Sequence, residues 1–470
     1  MLIVIPIAIL LMGALFTLAF RNDKIGITAL IASFISLIYV FWSEAGAVFA
    51  FSGWEPPFGI VWVLDSFSIF MSLLVMGITS LIVIYSVRYI KKRSHRYYAL
   101  ICLISMGMIG VSLTGDIFNM YVFFEILSIA SYGLVAFFSD RHALEGAFKY
   151  LIMGSFASSF ILIGIALLYG LTGTLNMADI ASNVSVMSHL PPIYMATLGI
   201  IIGGFCLKAA IFPFHAWKPD AIEGTPSPIG ALFAATSSAI GLYCIMRVLF
   251  LFGLIQLNWI LIAIGVITMF VGAFLAFMQK NITRLLAYSS ISQVGYIVVA
   301  YGIGNLPAIT AGTYQILNNA LIEALLFMAF GAAIHVAGSE ILGKVSVKND
   351  FLLISCLIGI LALIGIPLTN GFVSKWLIYM VTWTVNPILT VLTLVITGFT
   401  MAYSLKLFSS VFLSPDKKTI DIPMSMKIPI IIAVVFCIMM GILPQGGYVV
   451  SEIASKALFE LPKYIGLVLG

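Results

Sequence analysis

Long apolar runs separated by short polar breaks set the pattern of this chain. The runs cover residues 1–20, 25–44, 62–87, 98–115, 117–138, 145–170, 192–215, 228–252, 257–278, 285–303, 309–336, 350–378, 386–412 and 428–447. Most are close to the length of about 20 residues with which a helix crosses a hydrocarbon core. They are continuous rather than alternating, which predicts helices and not the strands of a barrel. The expected fold is therefore an all-α polytopic membrane protein of fourteen spans. Residues 450–468 mix charge with Leu, Ile and Tyr, and predict an interfacial helix.

Composition sharpens the picture. Of 470 residues, 62% are hydrophobic and only 9% are charged, against about 25% charged in soluble domains. A water-soluble enzyme is excluded. The net charge of +5 comes from basic residues scattered among loops, which is not the footprint of a nucleic-acid partner. Those loops alternate. Arg21 and Lys24, Arg88 to Arg96, Arg141, Lys218, Lys280 and Arg284, Lys344 and Lys348, and Lys417, Lys418 and Lys427 all follow odd-numbered spans. The internal loops after even-numbered spans hold no Lys or Arg. By the positive-inside rule the basic side is cytoplasmic, and both termini lie on the outer side of a cell membrane. Met1–Phe20 lacks a basic leader and a small-residue cleavage site, so it reads as the first span. Cys102, Cys206, Cys244, Cys356 and Cys437 stand singly, and no Walker A or dinucleotide fingerprint occurs in a fitting context. No cofactor and no metal site is expected.

Five basic residues fall inside the spans: Lys149, Lys208, Arg247, Lys375 and Lys406. Glu125 and Glu323 sit in mid-span. Such groups are costly in a bilayer and mark ion paths. Lys208 and Lys375 each lie beside a helix-breaking sequence, Phe212-Pro213-Phe214 in one case and Gly365-Ile366-Pro367 with Asn370-Gly371 in the other. Broken helices at membrane depth are tolerated where protein or water satisfies the freed backbone. The two lysine-bearing spans are the seventh and twelfth, five apart, so spans 4–8 and 9–13 are expected to be inverted repeats. The corresponding division is an N-terminal segment 1–97, repeats 98–252 and 257–412, and a C-terminal helix and tail 428–470. Two unit charges about 7 Å apart at an effective dielectric of about 20 interact by roughly 2.4 kcal/mol. One charge crossing a 100 mV potential involves about 2.3 kcal/mol. Changing one charge in such a row can therefore flip its neighbour's protonation.

The segments FFEILSIASYGLVAF, FCLKAAIFPFHAWKPDAIEGTPSPIGALFAATSS, NITRLLAYSSISQVGYIVVA and LIGIPLTNGFVSKWLIY resemble the proton-translocating antiporter-like subunits. That family includes the large membrane subunits of complex I, the D-type subunit of Mrp Na⁺/H⁺ antiporters and their counterparts in membrane-bound hydrogenase-type complexes. The resemblance implies fourteen helices, two inverted five-helix repeats and breaks in helices seven and twelve. By position, Glu125 and Lys208 would form a coupling ion pair, with Lys149 as a nearby modulator. Lys375 would be the terminal proton donor or acceptor, and His215 matches a histidine at the end of helix seven. Two positions depart from the pattern. Ala239 stands where relatives carry a helix-eight lysine or histidine, and Glu323 stands where many carry a helix-eleven lysine.

The expected function is translocation of protons, with or without exchange for Na⁺, within a respiratory, hydrogenase-type or Mrp-type complex. The partners would be other membrane subunits and lipid. No residue supports redox chemistry in this chain. Two alternatives stand beside this one: a structural scaffold with lost conduction, motivated by Ala239 and Glu323, and a secondary transporter of a small solute. Asp65 and Asp116 are expected to cap helices, and Arg247 and Lys406 to serve packing or the interface.

Overall fold

The computed structural model describes residues 2–185, 191–253, 259–413, 418–419 and 421–470. Lys417, one of the expected loop charges, lies outside them. The chain runs through α1 (Val4–Ala19), α2 (Asp23–Glu44), a short antiparallel pair β1 (Val48–Ala50) and β2 (Val61–Val63), α3 (Ser66–Tyr89), α4 (Ser94–Leu113), α5 (Ile117–Val135) and α6 (Arg141–Thr172). Then come α7 (Met177–Ser185), α8 (Pro192–Lys208), α9 (Trp217–Ile222), α10 (Ser227–Leu232), a π-helical turn Phe233–Ser237, and α11 (Ser238–Leu251). The second half holds α12 (Trp259–Met278), α13 (Ile282–Ile303), α14 (Leu306–Ala337), α15 (Asp350–Ile364), α16 (Asn370–Val385), α17 (Pro387–Phe412), α18 (Met424–Ile442), α19 (Gln445–Phe459) and α20 (Leu461–Leu469).

Among the described residues, eleven helices are long and apolar enough to cross a membrane, and Val4–Ala19, Pro192–Lys208 and Asp350–Ile364 are shorter apolar helices. The helices follow the expected segments closely because polar residues punctuate them. Asp65, Asp116, Asp140, Asn281, Asn305 and Asn349 each accept a hydrogen bond from a backbone N–H in the first turn of the helix they precede, which satisfies a donor that the helix itself leaves free. One boundary moves. The expected span 62–87 begins in β2, and its helix starts only at Ser66 behind the Asp65 cap.

Burial sorts the helices into a core and a rim. The most apolar window of Ser227–Leu251 is 100% buried and that of Ile282–Ile303 is 89% buried, whereas that of Met424–Ile442 is 33% buried. The rim helices present Phe148, Phe156, Ile163, Phe270 and Val395 outward. In water such an apolar exterior would aggregate; against lipid it is the ordinary surface. Neither α8 nor α15 continues straight into the next helix. A loop of residues 209–216 follows Lys208, and a turn through Gly365 follows Ile364. The tail forms two helices rather than one. Of these, α19 packs against α3 and α14, and Ser455 donates to Thr313 Oγ1 at 3.2 Å.

Candidate functional site

The core helices carry a row of charged side chains. At one end, α8 delivers Lys208, 3% exposed, against Glu125 of α5. The Nζ–Oε1 separation is 3.5 Å, with side-chain exposures of 2% and 26%. Lys208 also donates to Ser128 Oγ at 2.6 Å and lies 5.2 Å from the centroid of the Phe124 ring. Ser158 of α6 donates to Glu125. The pair is thus open on the glutamate side and sealed on the lysine side. Tyr150 of α6 is buried and lies near Ser131 and Ser237, which extends the polar row from this pair toward helix α11.

The break after α8 is closed by aromatic chemistry. Trp217 donates from Nε1 to Leu207 O at 2.9 Å, a last-turn carbonyl that the Ala210 N–H also reaches at 3.2 Å, so the indole ties the helix end to the loop beyond it. Its ring stacks on Tyr150 with centroids 4.2 Å apart. The next residue is Lys218, which hydropathy places among the loop charges. It is 1% exposed and belongs to the core. Its Nζ donates to Ser238 Oγ of α11 at 2.7 Å and to Ser290 Oγ of α13 at 2.6 Å. Hydropathy misses it because Pro219 and Asp220 follow it in sequence, so the window reads as loop; the serines in otherwise apolar ATSSAIG and LLAYSSISQ are the available signal.

Glu323 of α14 is 0% exposed and close enough to Lys218 to interact with it electrostatically. Both its carboxylate oxygens are buried without a hydrogen-bond partner. Tyr403 of α17 lies near it and is hydrogen-bonded to Ser289 at 2.9 Å. Toward the second break, Asn318 donates to Asn370 O at 3.1 Å and Asn370 donates to Asn318 Oδ1 at 3.1 Å, tying α14 to α16. Gln315 donates to Gln293 Oε1 at 3.3 Å.

Lys375 of α16 ends the row. It is 2% exposed and donates to Leu363 O at 2.7 Å and Ile364 O at 3.2 Å, the last carbonyls of α15. A cation there also meets the negative end of the helix dipole. Its Nζ lies 5.0 Å from the Tyr296 ring centroid. Gly365 takes a left-handed φ of 90°. A Cβ there would meet Lys375 Cδ at 3.0 Å, so glycine serves both the turn and the lysine's approach.

The remaining expected residues lie off the row. Lys149, 47% exposed at its side chain, pairs with Glu145 at 2.8 Å and Asp220 at 2.9 Å. Asp220 also holds Arg284 at 2.7 Å, and Arg284 reaches Glu223 at 2.6 Å. Lys149 therefore belongs to a polar cleft beside the row and does not touch the Glu125–Lys208 pair. His215 stacks on Phe212 at 5.7 Å, and its Nδ1 is buried without a partner. Asp65 both caps α3 and pairs with Arg247 at 2.6 Å, while Lys406 donates to Phe277 O and Gln279 O at the end of α12. Among the described residues no group of three or more His, Cys, Asp or Glu is placed to hold a metal.

Comparison with known proteins adds relatives to this geometry. The sequence profile described as "NADH:quinone oxidoreductase/Mrp antiporter, TM" matches residues 114–400, and that for the N-terminus of complex I chain 5 matches 55–98. The chain is 32% identical over 446 residues to the N-type subunit of NADH-quinone oxidoreductase from Desulforudis audaxviator, covering 87% of each. It is 32% identical over 383 residues to the D-type subunit of the Na⁺/H⁺ antiporter from Alkalihalophilus pseudofirmus, covering 79% of this chain and 77% of the relative. Among solved structures, a chain of the membrane-bound sulfane sulfur reductase, an archaeal respiratory membrane complex, superposes with a TM-score of 0.92 at 29% identity over 99% of both chains.

Proposed function

The chain belongs to the NADH:quinone oxidoreductase/Mrp antiporter family of membrane subunits, and from that membership and its charged row we propose how it moves protons. It is an antiporter-like, proton-translocating subunit of a multisubunit membrane complex. In our reading protons are taken up from the cytoplasmic side near Lys208, pass along a hydrated axis through Glu323, and leave through Lys375. The Glu125–Lys208 pair senses the charge state of a neighbouring subunit, because Glu125 is the member of the row with an exposed edge.

The observation that carries this reading is the line of buried polar groups between the two helix breaks. Burying ammonium groups and carboxylates is poor value for stability alone. Here the carboxylate oxygens of Glu323, Asn319 Oδ1, Asn370 Oδ1, Gln293 Nε2 and Gln315 Oε1 are buried without protein partners. Buried polar atoms of this kind are ordinarily hydrogen-bonded by water, and water beside titratable groups is what proton transfer requires. The positive-inside bias supports a cytoplasmic basic face with both termini outside. The lysine-bearing breaks after α8 and α15 support reading 98–252 and 257–412 as inverted repeats.

The test is proton flux in vesicles holding the intact complex, comparing the wild type with Lys208→Ala, Glu323→Gln and Lys375→Ala. Each variant is expected to lose most of the flux while the complex still assembles. Unchanged flux in all three would establish a scaffold instead.

A further inference from the structure

We propose that Lys218 is a working member of the proton row, supplying from the far side of the first helix break the central base that helix α11 does not carry. This rests on the reading of the chain as a proton-translocating subunit.

Three observations converge on it. Lys218 is 1% exposed, yet its Nζ is held by two hydroxyls, Ser238 at 2.7 Å and Ser290 at 2.6 Å, and not by a carboxylate. Two neutral acceptors are a weak return for burying an ammonium, so stability alone does not explain the residue. Glu323 faces the same region with both oxygens unpartnered, and the two groups interact electrostatically. Helix α11 presents only Ala239 after Ser238, and the π-helical turn Phe233–Ser237 directly precedes the serine that receives the lysine. Such turns shift helix register and occur often at functional sites.

The neighbouring residues hold Lys218 in place. Trp217 is fixed by its bond to Leu207 O and by stacking on Tyr150, so the stem of Lys218 starts from an anchored backbone. Tyr150 lies near Ser131 and Ser237, which places polar groups between Lys208 and Lys218. The transfer itself is simple. An N–H bond of the Lys218 ammonium breaks and an O–H bond forms on the Glu323 carboxylate, directly or through one water, leaving a neutral amine and a neutral carboxylic acid. Both charges vanish together, and the net charge of the row is unchanged. A proton arriving from the Lys208 side restores the ammonium, and Glu323 passes its own proton toward Asn319, Asn370 and Lys375.

The experiment measures proton flux in vesicles with the intact complex for Lys218→Met, Lys218→Arg, Lys218→His and the double change Lys218→Met with Ala239→Lys. Lys218→Met is expected to lower flux at least tenfold. Lys218→Arg should be equally inactive, because a guanidinium keeps its charge but does not release its proton. Lys218→His should retain flux with the alkaline limb of the pH profile moved down, since imidazole titrates about four units below an alkyl ammonium. The double variant should recover flux by returning the base from helix α11. Wild-type flux in Lys218→Arg would show that only a fixed charge is needed and would overturn the proposal. So would wild-type flux in Lys218→Met while Lys208→Ala and Lys375→Ala abolish it, an outcome that leaves the broader reading intact. If Lys218→Met fails to assemble, the contrast between Arg and His decides.

Discussion

Replacing Gly371 with alanine should silence transport without dismantling the protein. A Cβ built on Gly371 lies 1.8 Å from Ala362 O and 2.8 Å from Ala362 C. Both are backbone atoms of the helix that precedes the break, so no side chain can swing aside, and the α15–α16 junction has to open by about 1 Å or more. Overpacking of this size costs about 1–3 kcal/mol, small beside the packing of the whole helix bundle. The functional cost is larger, because Ala362 directly precedes the carbonyls of Leu363 and Ile364 that hold Lys375 at 2.7 and 3.2 Å. A misplacement of about 1 Å in a positioned group can lower a rate about a hundredfold. The assay is proton flux in vesicles with complex content measured on native gels. Flux should fall at least tenfold with normal complex content. Gly398→Ala is the control: nothing lies within 4 Å of its Cβ position on α17, and the change should be neutral or stabilising by about 0.5–1 kcal/mol. Wild-type flux in an assembled Gly371→Ala complex would refute the idea that the carbonyl cradle around Lys375 matters.

Other substitutions probe separate parts. Asp65→Asn strands the buried Arg247 guanidinium, 4% exposed, and should cost about 3–5 kcal/mol; Asp65→Leu combined with Arg247→Leu should cost much less, as read by thermal unfolding in detergent. Trp217→Phe keeps the stack on Tyr150 but removes the indole donor to Leu207 O, which Ala210 N–H still reaches at 3.2 Å, so it should lose about 0.5–1.5 kcal/mol and lower flux; equal stability to wild type would sink that assignment. Lys149→Met should change flux by less than about threefold, since Arg284 still engages Asp220 and the exposed pair is worth at most about 1 kcal/mol; a loss matching that of Lys208→Ala would place Lys149 on the row after all. Burial holds the Glu340 carboxyl above the ordinary carboxylate range. The folded loop then binds that proton more tightly than the unfolded chain, so stability falls as pH rises through that window, and Glu340→Gln should flatten the fall in a pH series of melting curves.

Much of this is legible in the sequence for a physical reason. Spans are read from apolar runs because bilayer thickness fixes helix length, and the caps Asp65 and Asp116 because free N–H groups need acceptors, while the Asn281, Asn305 and Asn349 caps emerge only from the backbone. Lys208, Glu323 and Lys375 stand out because an ionisable group in an apolar run is costly. Lys218 does not, because its burial arises from the chain folding back after the break and meeting α11 and α13, contacts made between residues 20 and 72 positions apart. The π-helical turn has no local signature in FAATS either; it is visible only in the backbone. Lys149 looks close to the ion pair along the sequence of helices, yet Asp220 draws it elsewhere.

The composition of the row has a consequence of its own. Lys208, Lys218 and Lys375 supply three amines, while Glu125 and Glu323 supply two carboxylates. When every amine carries its hydrogen ion and both acids are bare, the tally is odd by one positive charge; it balances only in states where at least one amine stands empty. Such a set behaves like a sliding-tile board, in which open squares let the tiles move one at a time and where those squares rest decides which way the next tile can go.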